Sequence, residues 1–379
     1  MSTKKILALT GIRSDYDVMS YLYKRLVRDK EFDLQLLVSG AHLSPTYGYS
    51  VEQIQKDGLH ILAKIECLID SNTRASRLKS AAILLQTCID TVAQFAPDLI
   101  IYHGDREEII IGALLATYLR IPSIHFFGGD HSPDGNIDNP IRHAASKMAS
   151  YHFVRERDHV ERLVKLGEAK DRIHYVGDPS GDKFNEEAWL AKEQVMNHLG
   201  RTQWQKYALM IHHPIAGEEA LAGEYFEQIL KALIQTKTCA FISYPNVDAG
   251  NKAIIDVIQK YSENTQFCFY KNLGREVFVN LMRHASFMIG NSSAGLFEAP
   301  CIGLPVINVG ERQLGRKQVS GVHFVKQELN AILKAIEGLE FSERQVPDNT
   351  MSFAETSYRL IKTLDFNAKV AKTEDPLKL

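Results

Sequence analysis

Short apolar runs alternate along the chain with longer segments in which apolar residues recur at helical spacing. Within the short runs the apolar residues are nearly continuous, which is typical of parallel strands whose sheet is covered by helices on both faces. The alternation therefore predicts an α/β fold. The candidate strands are Lys5–Leu9, Leu34–Val38, Leu99–Tyr102, Ser123–Phe126, Ile173–Val176, Tyr207–Ile211, Ala240–Ser243, Gln266–Phe269, Phe287–Ile289 and Val306–Asn308. The candidate helices are Asp15–Arg28, Ala75–Phe95, Arg106–Leu119, Gly217–Thr236, Lys252–Tyr261 and Glu276–Met282.

These elements form two series, one before about residue 178 and one after about residue 200. A chain of 379 residues is long enough for two domains, and the turn-forming segment Gly177–Gly181 suits a hinge. We therefore predict two doubly wound Rossmann-like domains facing across a cleft, one spanning residues 1–178 and the other residues 179–352. Ligands of such sheets bind at the carboxyl ends of the strands, so the residues that follow each strand are the candidates for the site.

Composition narrows the class of protein. A formal net charge of -2 gives no sign of a nucleic-acid partner or an anionic membrane. The five cysteines are widely spaced and lack a C-x-x-C pair, which favours buried thiols in a reducing compartment over disulfides or structural zinc. The N-terminal apolar run ends too early for a signal peptide, and no stretch is long enough to span a bilayer. We expect a cytoplasmic protein.

The segment Gly290–Gly295 has the residues of a phosphate-binding turn. It follows a candidate strand and leads into a helix predicted to end near Cys301. Backbone N–H groups and a helix dipole at such a turn favour an anion, although Ser292 or Ser293 could be only an N-cap. Glu298, one turn further on, could grip ribose hydroxyls or lie on a solvated helix face.

Two other turns bear on nucleotide binding. The turn Thr10–Asp15 lacks the three glycines of a dinucleotide fingerprint, which disfavours NAD. Within it, Arg13 could bind a phosphate bidentately or form a surface salt bridge. The segment Gly177–Lys183 looks like a P-loop but lacks its Gly-Lys step.

Three aspartates of the first domain are candidates for acid–base chemistry. Asp105 follows a candidate strand and could act in the cleft or cap the next helix. Asp130 lies on a glycine-rich loop, and Asp138 lies on an early helical turn. Because Asp138 and Arg142 are four residues apart, they could instead pair on one helix face. The histidines nearby have no recognised ligand spacing, so a metal site is disfavoured.

Polar residues also follow the first two strands of the second domain. An imidazolium at His213 could stabilise a departing phosphate, although a lone histidine is often structural. Asn246 and Asp248 add polar groups at the same rim.

In this order, these segments resemble the UDP-N-acetylglucosamine 2-epimerases, in particular the hydrolysing branch. The resemblance spans roughly residues 5–320, and it is specific because eight individually weak motifs occur in sequence. The motifs are Gly11–Tyr16, Gly104–Arg106, Gly128–Asp130, Ile137-Asp138 with Arg142-His143, His213-Pro214, Asn246–Gly250, Gly290–Ser293 and Arg312–Arg316.

The resemblance implies a GT-B type fold whose C-terminal helix crosses back to the first domain. The helical pattern from Phe353 to Leu364 would do so, with residues 353–379 packing on the first domain. It also implies a UDP-sugar substrate, no cofactor, no metal and a homo-oligomer, either a dimer or a tetramer. Two positions depart from the family: Asp130 replaces a glutamate, and Asn139 replaces an acidic residue. An aspartate is one methylene shorter, which shifts the catalytic reach by about 1 Å.

The resemblance further implies a reaction that converts UDP-N-acetylglucosamine to N-acetylmannosamine and UDP, in the route to sialic acids. UDP is eliminated, a glycal forms, and water adds at C1 with inversion at C2. More than one acid or base is needed, so Asp105, Asp130 and Asp138 are the candidates, with the step of each left open. The groups predicted to stabilise the diphosphate are Arg13, His213, Ser292 and Ser293. The remaining predicted substrate- and UDP-binding residues are Arg142, Asn246, Asp248, Gly290 and Glu298.

Four other functions fit the same features less well. One is a hydrolysing epimerase of UDP-2,4-diacetamido-trideoxyglucose, in a legionaminic-type pathway, and another is a non-hydrolysing epimerase. The third is a GT-B glycosyltransferase, and the fourth is a non-catalytic UDP-sugar-binding protein. The Gly-Gly-Asp and Arg-His motifs argue against the non-hydrolysing enzyme, and three cleft carboxylates argue against a non-catalytic protein.

Overall fold

The computed structural model describes residues 3–71, 73–104, 106–131, 138–246, 248–314, 319–339, 344 and 352–366. These residues form two compact units: the N-terminal unit holds residues up to Asp182 together with 352–366, and the C-terminal unit holds those from Lys183 to 344. The strands are β1 (Lys4–Thr10), β2 (Phe32–Ser39), β3 (His60–Ile65), β4 (Leu99–His103), β5 (Ser123–Phe126), β6 (Tyr151–Val154), β7 (Ile173–Tyr175), β8 (Ala208–Ile211), β9 (Ala240–Ser243), β10 (Phe267–Tyr270), β11 (Phe287–Gly290), β12 (Val306–Val309) and β13 (Val322–Val325). The α-helices are α1 (Arg13–Val27), α2 (Val51–Lys56), α3 (Arg74–Phe95), α4 (Glu107–Leu119), α5 (Asp138–Met148), α6 (Arg157–Lys165), α7 (Asp182–Glu186), α8 (Lys192–His198), α9 (Ala222–Gln235), α10 (Asn251–Lys260), α11 (Arg275–His284), α12 (Ala294–Phe297), α13 (Leu329–Glu337) and α14 (Phe353–Thr363).

The N-terminal unit is built on a seven-stranded parallel sheet in the order β3-β2-β1-β4-β5-β6-β7. Strand β1 pairs with β2 on one side and β4 on the other, with Ile6 opposite Leu34 and Leu99. The chain first winds outward from β1 through β2 and β3, and then outward from β4 in the other direction. The crevice between β1 and β4 is therefore a topological switch point, where open α/β sheets bind ligands.

The two faces of this sheet explain why its strands are continuously apolar. Ile6 and Ala8 of β1 pack in a core with residues of α1 and α14, whereas Leu7 and Leu9 pack in a second core with residues of α3 and α4. Because both faces are buried, neighbouring positions of the strand are apolar. Burying each leucine or isoleucine contributes about 2 kcal/mol.

Helix α14 packs against α1 within the N-terminal unit. Phe353 at its start is fully buried in the core, and Arg25 Nε lies 3.0 Å from Glu355 Oε2. The Tyr358 hydroxyl donates to Asp29 Oδ2 at 2.6 Å. At its first turn, the Asp182 carboxylate accepts from the backbone N–H of Ala354 at 2.7 Å. Apolar burial and these polar contacts together hold the last described helix on the first one.

The C-terminal unit has a six-stranded parallel sheet in the order β10-β9-β8-β11-β12-β13. Its switch point lies between β8 and β11. Met210 and Ile289 face a core that includes residues of α9 and α13, whereas Leu209 and Met288 face the opposite core with residues of α8 and α11. The same burial of both faces accounts for the apolar strands here.

The predicted α/β class is confirmed: each unit is a parallel sheet with alternating helices. Strands β3, β6 and β13 were not predicted from the sequence. Both β3 and β13 are edge strands that carry exposed polar residues such as His60 and His323, so they lack the continuous apolar pattern. The predicted start of α9 at Gly217 was early, because a turn of 3-10 helix precedes Ala222.

The five cysteines are free thiols. Cys67 and Cys88 are buried, as expected, whereas the other three are only half-buried. Burial raises the pKa of Cys88 to about 11. Among the helices that the structure describes, none is both long and apolar enough to cross a membrane.

Candidate active site

Asp130 lies in the turn after β5, with 10% of its side chain exposed. Its Oδ2 accepts from Arg155 Nη2 at 2.5 Å, and its Oδ1 accepts from the backbone N–H of His131 at 2.8 Å. His159 Nε2 lies 3.7 Å from Oδ1. The carboxylate predicted to transfer protons is thus already engaged by a guanidinium and a backbone amide.

The groups around Asp130 set the charge of this cluster. Burial acts to lower the pKa of Arg155, but Asp130 and Asp178 outweigh it and the pKa is raised. Burial lowers the pKa of His159 to about 4, and the negative charge of Asp130 offsets this only in part. His159 is therefore a neutral ring at neutral pH, and the cation that balances Asp130 is Arg155.

Arg142 contacts the turn that carries Asp130, and its predicted part in substrate binding stays a prediction. It is 2% exposed, and its Nη1 donates to the backbone oxygen of Asp130 at 3.0 Å and to Asn139 Oδ1 at 3.2 Å. The alternative pairing with Asp138 is not formed, because the guanidinium is turned inward to the Asp130 turn. Arg142 therefore supports that turn from inside the fold.

Asp138 begins α5 and is more accessible than Asp130, with 24% of its side chain exposed. Arg77 of α3 bridges it to Glu107: Arg77 Nη2 lies 3.3 Å from Asp138 Oδ1, and Arg77 Nε lies 2.5 Å from Glu107 Oε1. Burial acts to raise the pKa of Glu107, but Arg77 and Arg106 outweigh it and the pKa is lowered. A cation thus contacts Asp138 while its side chain remains partly exposed to solvent.

Arg13 is the first residue of α1, directly after β1. Its side chain is 36% exposed, and its Nε lies 3.9 Å from Asp17 Oδ2. This is the surface salt bridge considered as the alternative, and at such exposure it is worth about 1 kcal/mol or less. A phosphate could displace it. Asp105, predicted after β4, lies outside the described residues.

Glu108 is a carboxyl group that the sequence analysis missed. It lies in the first turn of α4, and its Oε2 is buried without a hydrogen-bond partner among the described residues. Its other oxygen packs so closely on Gly11 that a Cβ added there would lie 1.9 Å from it. Burial, reinforced by the charge of Glu107, raises the pKa of Glu108. A carboxyl of this kind at a strand end is a candidate for proton transfer. The two consecutive glutamates at the start of α4, Glu107 and Glu108, could have indicated it from the sequence.

His213, Asn246 and Asp248 come together at the ends of β8 and β9. The backbone N–H of Asn246 donates to His213 Nδ1 at 3.2 Å, and Asn246 Nδ2 donates to Asp248 Oδ2 at 2.5 Å. Asn291, after β11, completes the group: its Oδ1 accepts from the N–H of His213 at 2.7 Å, and its Nδ2 donates to the His213 oxygen at 2.8 Å. Since β9, β8 and β11 are neighbours, the sheet brings these residues to one edge.

The predicted imidazolium at His213 is wrong for this structure. Burial and the positive charge of Arg312 lower the pKa of His213 to about 3. Because Nδ1 accepts a hydrogen bond, the neutral ring carries its proton on Nε2. In this structure His213 is therefore a neutral ring whose Nε2–H can donate a hydrogen bond to an anion.

Gly290 ends β11 in a conformation that requires glycine. Its φ is 132°, and a Cβ there would lie 2.0 Å from the carbonyl oxygen of Ile211. The close approach of β8 and β11 places the following turn beside His213. Within the described residues, no group accepts from the backbone N–H of Ser292 or Ser293. The turn therefore retains two donors for an anion.

The helix predicted to run to Cys301 is broken. Helix α12 is one turn long, and a 3-10 helix follows over Ala299–Ile302. Pro300 explains the break, because proline lacks the N–H of a continuing helix and disfavours the α conformation in the residue before it. A helix dipole therefore contributes less at this turn than expected, and the donors are chiefly the two backbone amides.

Glu298 is not on a solvated face. Its side chain is 19% exposed and forms an ion pair with Lys183, which is 12% exposed. Lys183 is a second residue that the sequence analysis did not assign, because 115 positions of sequence separate the two partners.

The described residues contain no group of three or more His, Cys, Asp and Glu side chains arranged to hold a metal ion. The polar clusters of both units are instead built from hydrogen bonds and ion pairs between side chains.

A comparison with solved structures bears on the fold. A crystal structure of UDP-N-acetylglucosamine 2-epimerase from Neisseria meningitidis, bound to UDP-N-acetylglucosamine, superimposes with a TM-score of 0.76. The match covers 95% of this chain and 99% of that one at 17% sequence identity. The two chains therefore share a fold.

Comparisons of sequence establish the family. A family model described as UDP-N-acetylglucosamine 2-epimerase matches residues 24–363. The UDP-N,N'-diacetylbacillosamine 2-epimerase (hydrolyzing) of Legionella pneumophila is 30% identical over 370 residues, which is 97% of this chain and 98% of that protein. A UDP-N-acetylglucosamine 2-epimerase of Neisseria meningitidis is 30% identical over 334 residues, which is 88% of this chain and 87% of that protein. The chain belongs to the UDP-N-acetylglucosamine 2-epimerase family.

Proposed function

We propose that the protein is a hydrolysing 2-epimerase that converts UDP-N-acetylglucosamine to N-acetylmannosamine and UDP. The observation that carries the proposal is Asp138, a partly exposed carboxylate held by Arg77 beside the strand ends of a sheet in this family's fold. Relatives named for hydrolysing 2-epimerase activity support the reaction class.

The first half of the reaction is an elimination. A carboxylate removes the proton at C2, the C–H electrons form the C1=C2 double bond, and the C1–O bond breaks as UDP leaves. Negative charge then grows on the diphosphate. Arg13, the Nε2–H of His213 and the backbone N–H groups of Ser292 and Ser293 would stabilise that charge, since donors fixed in advance need no reorganisation.

The second half is a hydration. Water bonds to C1, its proton passes to a carboxylate, and a proton is delivered to C2 from the opposite face. We assign proton transfer to Asp105, Asp130 and Asp138. Of the two that the structure describes, Asp138 is the more exposed, with 24% of its side chain accessible against 10% for Asp130. Glu298 would bind the ribose hydroxyls, and Asn246 and Asp248 would line the same rim.

Isotopes test this chemistry directly. Reaction in deuterated water should place deuterium at C2 of the released sugar, and labelled water should place its oxygen at C1 and not in UDP. Product without deuterium at C2 would exclude elimination. Label in UDP would show attack at phosphorus, and the epimerase proposal would fail with it.

A second candidate substrate is a UDP-2,4-diacetamido-2,4,6-trideoxy sugar. It is favoured by the Legionella relative, whose name specifies diacetylbacillosamine and whose match covers 97% of this chain. The two candidates differ in the groups at C4 and C6, so comparison of kcat/KM on both substrates decides between them. A ratio of 100 or more in either direction, about 2.7 kcal/mol, would identify the preferred one.

A further inference from the structure

Lys183 lies in the segment that looked like an incomplete P-loop, and its surroundings are rigid. It is the second residue of α7, and α11 holds the chain that follows. Arg283 Nη2 donates to the carbonyl oxygens of Phe184 at 2.8 Å and Glu187 at 3.0 Å. Asn280 Nδ2 donates to the oxygen of Ala188 at 2.9 Å. The backbone that carries Lys183 is therefore fixed to the C-terminal unit.

The Lys183 ammonium is held by three groups. It forms an ion pair with Glu298 Oε2, and it lies 5.5 Å from the ring centroid of Phe184 and 5.6 Å from that of Phe278. A cation within about 6 Å of an aromatic face is attracted to it. With only 12% of its side chain exposed, Lys183 has little freedom to leave this position.

This arrangement leaves one carboxylate oxygen of Glu298 available. Lys183 engages Oε2, and among the described residues no donor reaches Oε1. An isolated carboxylate would repel a nucleoside diphosphate, because both are anionic. Pairing with Lys183 cancels that charge and leaves Oε1 as a hydrogen-bond acceptor in a fixed place.

We propose that Lys183 is a positioning residue that orients Glu298 towards the ribose hydroxyls of a uridine diphosphate and neutralises its charge. The inference rests on the proposed nucleotide site of the C-terminal unit. It assigns selectivity for the ribose to the pair of residues, so that neither partner is sufficient alone.

Calorimetric binding of UDP and of 2′,3′-dideoxy-UDP, which lacks both ribose hydroxyls, tests the proposal on the full chain. The wild type should bind UDP about 10-fold or more tightly than the dideoxy compound, the value of a hydrogen bond to a charged acceptor. In Lys183→Met this ratio should fall to about threefold or less. Lys183→Arg keeps the charge and should restore most of it.

The matched control is Lys260→Met. Lys260 Nζ also pairs with a glutamate of the C-terminal unit, 2.6 Å from Glu227 Oε1, but its side chain is 65% exposed. This variant should retain the wild-type ratio.

An unchanged ratio in Lys183→Met would overturn the inference while leaving the nucleotide site intact. Tighter UDP binding by that variant would also overturn it, because Lys183 would then compete with the ribose. A wild type that does not bind UDP would remove the proposed function and the inference together.

Discussion

Replacing Gly290 by alanine tests whether the close approach of β8 and β11 builds the nucleotide turn. Gly290 has a φ of 132° and lies opposite Ile211 in the sheet. An alanine Cβ would lie 2.0 Å from the Ile211 oxygen, and real Cβ contacts start at about 3.0 Å. The two strands must therefore separate by about 1 Å.

The cost has two parts. Holding a non-glycine residue at this φ costs about 1–3 kcal/mol. Separating the strands also breaks the bond from the N–H of Asn291 to the Ile211 oxygen, 3.1 Å, and strains the bond from the N–H of His213 to Asn291, 2.7 Å. Each such bond is worth about 1 kcal/mol. Gly290→Ala should therefore destabilise the C-terminal unit by about 3–5 kcal/mol.

Two other glycines of the same unit serve as controls that separate the cost of backbone strain from the cost of a steric clash. Gly217 has a φ of 88° but nothing within 4 Å of an added Cβ, so Gly217→Ala should cost only about 1 kcal/mol. Gly274 has a φ of -55° and equally open space, so Gly274→Ala should be nearly neutral. Urea unfolding followed by tryptophan fluorescence reports on this unit, because both tryptophans, Trp189 and Trp204, lie in it.

Gly290→Ala should bind UDP more weakly, whereas Gly217→Ala and Gly274→Ala should match the wild type in UDP affinity. Gly290→Ala moves His213 and the amides of Ser292 and Ser293, whereas the two control positions do not contact them. If Gly290→Ala proves as mild as Gly217→Ala in both measurements, the strand contact does not shape the site and the reasoning is refuted.

Three further results are expected. Asp138→Asn should lower kcat by about 10²-fold with little change in KM, and an effect on KM alone would assign Asp138 to binding. Arg155→Met should destabilise the N-terminal unit by about 3 kcal/mol in urea unfolding followed by circular dichroism, because it leaves Asp130 buried without its cation; a loss below 1 kcal/mol would contradict this. Burial raises the pKa of Glu108 above its ordinary 4.5, so its proton stabilises the fold fully below pH 4.5, and that contribution is lost as the pH rises through the folded value. The Gln side chain of Glu108→Gln stays neutral, so the stability of this variant relative to wild type should increase between pH 4 and pH 8. A constant difference would show that folding does not raise the pKa of Glu108.

The elements that sequence predicted are those with a local signal. Strands such as β4 and β11 begin with a continuous apolar run because helices cover both faces of their sheets. Strand β13 lies at the edge of its sheet and is only partly covered, so it lacks a continuous apolar run. Gly290 and Ser292 were predicted because they follow a strand directly, and a strand end is recognisable from the sequence.

The partners of the site residues could not be predicted in this way. Arg77 pairs with Asp138, which lies 61 residues away in sequence, and Lys183 pairs with Glu298, which lies 115 residues away. Arginine and lysine are common on surface helices. The residues next to them in sequence therefore do not indicate which distant carboxylate they will pair with. The neutral state of His213 was missed for a related reason: it follows from burial and from Arg312, which lies on a distant turn.

The position of backbone and imidazole donors relative to the strand ends distinguishes the two edges of the C-terminal sheet. A cavity of about 500 Å³ opens at the amino ends of β8, β9 and β11, lined by residues that include Thr236, Ser286 and Glu337. Helices α9 and α13 end at that edge, where a helix dipole is negative, while Lys206 and Lys237 place positive charge in the lining of the cavity. At the opposite edge the backbone N–H groups of Ser292 and Ser293 and the Nε2–H of His213 are donors. These donors lie at the switch point between β8 and β11, the edge at which open α/β sheets bind their ligands, and that position favours it for a nucleoside diphosphate.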